Sequence, residues 1–144
     1  MNKSKEKMSQ EKIIINAYIS ANKKKVWDYY TLPEHITKWN FADPSWHCPT
    51  ASNNMIIGGR YLARMEAKDG SVGFDFDATY TAINPEENFT YEFDGRYASV
   101  QINEQKEGTE IIITFDPETI NPIELQRNGW QAILNNFKNY TENN

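Results

Sequence analysis

The string Trp46-His47-Cys48-Pro49 holds the most chemical potential in this sequence, because it sets an imidazole beside a thiol. Such a pair could ligate a metal or serve as base and nucleophile. A metal site needs several ligands at defined spacing. His35 and His47 are the two histidines, Cys48 is the single cysteine, and no second ligand cluster accompanies them. No metal site is expected. Neighbours in an extended segment point to opposite faces, so His47 is not expected to activate Cys48. The simpler reading is that Trp46 and Cys48 form the lid or rim of a pocket while His47 meets a polar partner. A buried cysteine usually behaves as a small hydrophobe. His35 falls on a short helix between Pro33 and Trp39 and is expected to be solvated or partly packed, beside an i, i+4 pair of Glu34 and Lys38.

Asp75 and Asp77 are paired carboxylates, and such pairs can do acid–base work when buried. Here they alternate with Phe74 and Phe76. They therefore belong on the solvated outer face of a strand, where Arg60, Arg64 and Glu66 supply cross-strand charge pairing. No catalytic residue is assigned and no cofactor is expected.

The aromatic residues form the most informative constellation. Tyr61, Met65, Phe74, Phe76, Tyr80, Phe89 and Tyr91 alternate onto one sheet face. Trp130, Leu134 and Phe137 share a helical stripe, and Trp39 and Trp46 could close the end. Ala63, Ala67, Ala78 and Ala82 interleave the rings. This pattern fits either a filled core or a cavity with an aromatic wall and tyrosine hydroxyls for orientation. The candidate ligand-binding residues are Trp39, Trp46, His47, Cys48, Tyr61, Met65, Phe74, Phe76, Tyr80, Tyr91, Trp130 and Leu134.

These residues need elements to position them. Residues 13–19 are rich in β-branched side chains and predict a strand. Val26, Trp27 and Tyr30 mark a short helix over 21–31. Thr31-Leu32-Pro33-Glu34 predicts a second helix, with Thr31 as its cap. Residues 40–54 keep no period and read as an irregular segment. A run of five strands then follows. Asp69-Gly70 and Asp94-Gly95 each predict a two-residue hairpin turn with φ above zero at both positions. Asn121-Pro122-Ile123-Glu124 starts a long helix, with Asn121 as cap and a stripe of Ile123, Trp130, Ile133, Leu134 and Phe137. Gly129 lies inside that helix and suggests close packing. The order is strand, two short helices, five strands, long helix. The fold class is α+β, an antiparallel sheet whose apolar face the last helix covers.

The bulk numbers agree. A chain of 144 residues suits one domain. With 39% hydrophobic and 24% charged residues it can build a core. Its net charge of −5 argues against nucleic acid or an anionic membrane as partner. One cysteine excludes an internal disulfide framework and suits the cytoplasm. No apolar run approaches the ~20 residues of a membrane span. Residues 1–11 read as a flexible tail without a signal peptide, residues 12–141 as a single domain, and the last residues as frayed.

Several strings together resemble the START-like, or SRPBCC, superfamily, in its activator of Hsp90 ATPase homologue-like branch. They are Val26-Trp27-Asp28-Tyr29-Tyr30, Pro33-Glu34-His35-Ile36-Thr37-Lys38-Trp39, Trp46-His47-Cys48-Pro49 and Gly58-Gly59-Arg60-Tyr61. Met65-Glu66-Ala67-Lys68-Asp69-Gly70, Gly73-Phe74-Asp75-Phe76, Thr114-Phe115-Asp116-Pro117 and Gly129-Trp130-Gln131-Ala132-Ile133-Leu134-Asn135-Asn136-Phe137 continue the likeness. The resemblance spans residues 13 to 140. It implies a helix-grip fold, a curved six-stranded antiparallel sheet wrapped around the C-terminal helix, with a deep cavity between them. Relatives bind lipids, sterols, polyketides or aromatic hormones there, and some are cyclases or hydroxylases. Eukaryotic chaperone activators of the branch carry an added N-terminal domain, for which this chain is expected to have no room. The leading expectation is non-enzymatic binding of a small apolar or aromatic molecule, with roles in stress tolerance, transport or sensing. The alternatives are an Hsp90-type chaperone-regulating partner, and a cyclase- or hydrolase-type enzyme drawing on His47, Tyr61 and Tyr80. An exposed edge strand also offers a route to a homodimer.

Overall fold

The computed structural model describes residues 11–144. The expected tail falls, over residues 1–10, outside the described residues. The elements run β1 (Ile13–Ile19), α1 (Lys23–Thr31), α2 (Pro33–Trp39), β2 (Trp46–His47), β3 (Ala51–Asn53), β4 (Arg60–Ala67), β5 (Gly73–Asn84), β6 (Asn88–Phe93), β7 (Arg96–Gln105), β8 (Gly108–Phe115) and α3 (Ile123–Asn143). They form one antiparallel sheet in the order β1-β8-β7-β6-β5-β4-β2, with β3 also on β4. The sheet curls around α3 in the helix-grip manner. The six expected strands are all present. The segment expected to be irregular adds β2 and β3, which lie on the outer edge of β4.

Alternation positions the inner face. On β4, Tyr61, Ala63, Met65 and Ala67 are buried while Leu62, Arg64 and Glu66 are half-exposed. On β8, Ile111, Ile113 and Phe115 are buried. On β5 the alternation changes phase. The register shifts between Tyr80 and Ala82, a bulge that sets Ala82 outward and half-buries Ile83. The expectation that Ala82 faces the core is thereby corrected. Phe74 stays on the inner side with its partner Met65 but is 51% exposed, because it lies at the cavity rim.

The turns differ from one another. Asp94 and Gly95 both have positive φ, at 52° and 77°, and make the expected two-residue turn. At Asp69-Gly70 only Gly70 does, at 79°. Ala67 donates to the Val72 carbonyl, so the loop is four residues long, and Asp69 accepts from the Ser71 N–H.

The helix ends also correct the sequence reading. Thr31 closes α1 and turns its hydroxyl back to the Trp27 carbonyl at 2.7 Å; α2 begins after Leu32 with no side-chain cap. Asn121 does not cap α3, because its amide binds the Glu118 carboxylate. Ile123 is exposed. The last residues do not fray. The helix continues to Asn143, Thr141 is sealed, and Glu142 accepts from the Ser20 N–H at 2.8 Å.

α3 lies against β1. Gln131 donates to the Asn16 carbonyl and Lys138 to the Tyr18 carbonyl, so the helix covers backbone acceptors on the free edge of that strand. Phe137 is fully buried between Tyr30 and Trp39, with ring centroids 5.0 and 5.1 Å away. No described helix is long and apolar enough to cross a membrane.

Candidate ligand-binding site

A cavity of about 480 Å³ lies between the concave sheet face and α3. That is within the range of small-molecule pockets, roughly 300–1,000 Å³. Its floor is buried and formed by Tyr30 from α1, Trp39 from α2, Tyr61 from β4 and Tyr91 from β6. Met65, Phe76, Phe93 and Ile113 make the walls, and Trp130, Ile133 and Leu134 come from α3. Trp130 is held by a parallel stack on Phe115, with centroids 3.9 Å apart and planes 10° apart. Such an aromatic pair contributes about 0.5–1.5 kcal/mol beyond its buried area and holds the indole in place.

The opening follows from sheet geometry. β5 pairs with β6 from Thr79 onward, opposite Glu92, and β6 ends in the Asp94-Gly95 turn. The earlier part of β5 pairs with β4 on one side alone. Phe74, Asp75, Phe76 and Asp77 border the gap this leaves, and Asp94, Arg96 and Glu118 border it from the other side.

The charges at this rim are mostly engaged. Asp77 pairs with Arg60 and Asp75 with Arg64, on the outer face as the alternation predicts. Both pairs are exposed and contribute little to stability. The Arg96 guanidinium lies 4.7 Å over the Phe93 ring and donates to the Asp116 carbonyl at 3.2 Å. Hydrogen bonds from the Asn121 backbone and amide, and from the Ile120 N–H, hold the Glu118 carboxyl below its usual range. The buried Gln126 amide anchors the same loop. It accepts from the Glu118 N–H at 2.9 Å and donates to the Glu118 and Asn121 carbonyls at 3.0 and 2.8 Å.

Of the candidate residues, Trp39, Tyr61, Met65, Phe74, Phe76, Tyr91, Trp130 and Leu134 line the cavity. Trp46, His47, Cys48 and Tyr80 are not among the lining residues. β2 sits beyond β4, which turns Trp46 onto the rim residue Phe74 at 6.1 Å rather than into the cavity. His47 Nε2 lies 3.6 Å from Glu66 Oε1. The Cys48 thiol is buried and donates to the Thr50 carbonyl at 3.4 Å; burial pushes its pKa up to about 11. So little thiolate exists at neutral pH. Tyr80 is drawn away by a 2.7 Å bond from its hydroxyl to Asn53 Oδ1. His35 stacks on Tyr29 at 3.9 Å and bonds the Tyr140 hydroxyl at 2.7 Å, a packing role.

Tyr30, Asn40, Phe93, Ile113, Ile133, Arg96 and Gln126, with the rim carboxylates Asp75, Asp77, Asp94 and Glu118, complete the lining without having been singled out as ligand residues. Phe93 was legible, since it continues the alternation of Phe89 and Tyr91. Arg96 and Gln126 had no local signal, because a turn and a loop carry them to the opening. Among the described residues no group of three or more His, Cys, Asp or Glu is placed to hold a metal.

The sequence profile of the family described as "Activator of Hsp90 ATPase homolog 1-like protein" matches residues 20–142. An AHSA1-like protein from Aeromonas hydrophila, solved by NMR, is 39% identical with a TM-score of 0.87, over 92% of each chain. A Cytophaga hutchinsonii protein, also solved in solution, is 44% identical with a TM-score of 0.80, again over 92% of each chain. A Chromobacterium violaceum protein shares the fold at 20% identity, with a TM-score of 0.81 over 92% of this chain and 97% of its own. No curated protein matches the chain.

Proposed function

The chain belongs to the activator of Hsp90 ATPase homolog 1-like family, and on that premise we propose that it binds a small hydrophobic or aromatic molecule in the cavity beneath α3, without chemical turnover. The observation that carries this reading is the cavity itself: about 480 Å³ of space walled by aromatic rings and reached through a gap in the sheet. A filled core would close that space, because interiors pack to crystal-like density and each void forfeits contacts. The placement of the polar residues favours binding over catalysis. Of His47, Tyr61 and Tyr80, Tyr61 alone meets the cavity.

The test is displacement of an apolar fluorophore from the purified protein, with native mass spectrometry for a retained ligand. Uptake that is lost when Leu134→Trp fills the cavity is the expected result. No uptake by the folded protein would refute the reading.

The family's name favours a second reading, a chaperone-regulating interaction. It predicts that the chain alone changes the ATPase rate of an Hsp90-type chaperone. A flat rate across a concentration series would remove it.

A further inference from the structure

Resting on the binding reading above, we propose that the cavity floor is a polar subsite in which the hydroxyls of Tyr30, Tyr61 and Tyr91 receive one neutral oxygen-bearing head, a carbonyl or hydroxyl, so that the ligand enters head first. Its apolar body then lies beneath Trp130.

Three tyrosines from three elements meet at the floor. They are 8%, 5% and 5% exposed. None of their hydroxyls has a hydrogen-bond partner among the described residues, whereas the fourth buried tyrosine, Tyr80, donates to Asn53. A buried phenol is normally partnered, because an unpaired O–H in an apolar setting is costly. Nor are these oxygens sealed in. Thr141 Oγ1 is the one fully enclosed side-chain polar atom left unpaired among the described residues, so the phenol oxygens open onto cavity space. The Tyr61 and Tyr91 rings are 5.5 Å apart. Burial raises all three phenol pKa values, and the neighbouring phenols raise them further, so all three stay protonated. Each then offers one donor and acceptor lone pairs.

Two other polar side chains line this end of the cavity: Trp39 Nε1 donates to the Tyr29 carbonyl at 3.0 Å, and the buried Asn40 amide is neutral and can join the phenols in holding an uncharged head. The head must also be uncharged. Arg96 is the one cation among the lining residues, and it lies at the rim over Phe93. The lining carboxylates Asp75, Asp77, Asp94 and Glu118 are at the rim too. A carboxylate or ammonium at the floor would lose its water and meet no counter-charge. A carbonyl accepts from two phenols, and a hydroxyl both accepts and donates.

Three matched probes test this by calorimetry: para-acetylbiphenyl, para-ethylbiphenyl and biphenyl-para-carboxylate. The acetyl compound should bind at least about tenfold more tightly than the ethyl compound, with the carboxylate weakest. In a Tyr61→Phe, Tyr91→Phe variant the acetyl advantage should fall to within about twofold, while ethyl affinity holds. Each hydroxyl is thus worth roughly three- to tenfold, the usual range for one net hydrogen bond. Equal acetyl and ethyl affinities in the native protein would overturn the subsite and leave the binding reading standing. If none of the three binds and the fluorophore also fails, the binding reading falls with it. Should the double variant not fold, the infrared carbonyl stretch of bound para-acetylbiphenyl decides. A shift to lower frequency than in hydrocarbon solution supports the subsite, and an unshifted band overturns it.

Discussion

Replacing Gly129 with alanine should stabilise this protein. Gly129 sits within α3, six residues past its start at Ile123, where glycine costs about 1 kcal/mol relative to alanine. The cost arises because glycine gives up more backbone freedom on folding. It is commonly tolerated where a neighbour leaves no room for a Cβ. Here a Cβ on Gly129 would meet nothing within 4 Å. Its φ is not positive, so alanine adopts the same backbone without strain. No packing loss therefore opposes the gain. For a domain of 144 residues, about 1 kcal/mol corresponds to a rise in Tm of roughly 3–5 °C. Thermal unfolding by circular dichroism and urea titration would measure it, with the urea midpoint rising and the slope unchanged. Gly129 does not line the cavity, so fluorophore uptake should persist. An unchanged or lowered Tm would refute the reasoning and mean that the residue serves a contact absent from this geometry. A raised Tm with lost uptake would mean that the open space beside Gly129 is used by the ligand.

Phe137→Ala should cost about 3–5 kcal/mol in urea unfolding, since the ring is fully buried against Tyr30 and Trp39; a cost below about 1 kcal/mol would contradict its central place. Cys48 should react with a thiol reagent at pH 8 far more slowly in the native protein than in urea, because its thiol is buried and burial pushes its pKa up to about 11. Rapid native labelling would refute this. Glu142 should support stability at neutral pH and lose that support in acid. The Ser20 N–H and then Lys138 hold its carboxyl below its usual value, so the folded state binds its proton less readily than the unfolded state. The contribution is present above the unfolded pKa and disappears as pH falls through the folded one. Glu142→Gln should therefore be less stable than the native chain at pH 7 and nearly equal to it once both carboxyl forms are protonated. A gap independent of pH would count against the assignment.

Much of the architecture was legible because local rules and global packing agree. The β4 alternation, the Asp94-Gly95 turn and the Trp130-to-Phe137 stripe each follow from a period or a φ requirement that few residues satisfy. The departures share a cause. Thr31, Asn121 and Ala82 were assigned by local preference, and each met a stronger partner or a shifted register: the Trp27 carbonyl, the Glu118 carboxylate and the bulge after Tyr80. Asp69-Gly70 has the composition of a two-residue turn but closes a four-residue loop, because Ala67 and Val72 are the residues that pair.

By itself the sequence determined the strand faces, the helix that covers them and the residues free to line a cavity, because side-chain period is a property of the chain. It could not determine which of them meet. Trp46 reaches the rim residue Phe74 from beyond β4, while His47 and Cys48 are not among the lining residues, since strand order is set by long-range pairing. Tyr30, Tyr61 and Tyr91 come from α1, β4 and β6, and no local pattern relates them. Only the curl of the sheet around α3 brings their hydroxyls to one floor, and only the early end of β5–β6 pairing leaves a way in.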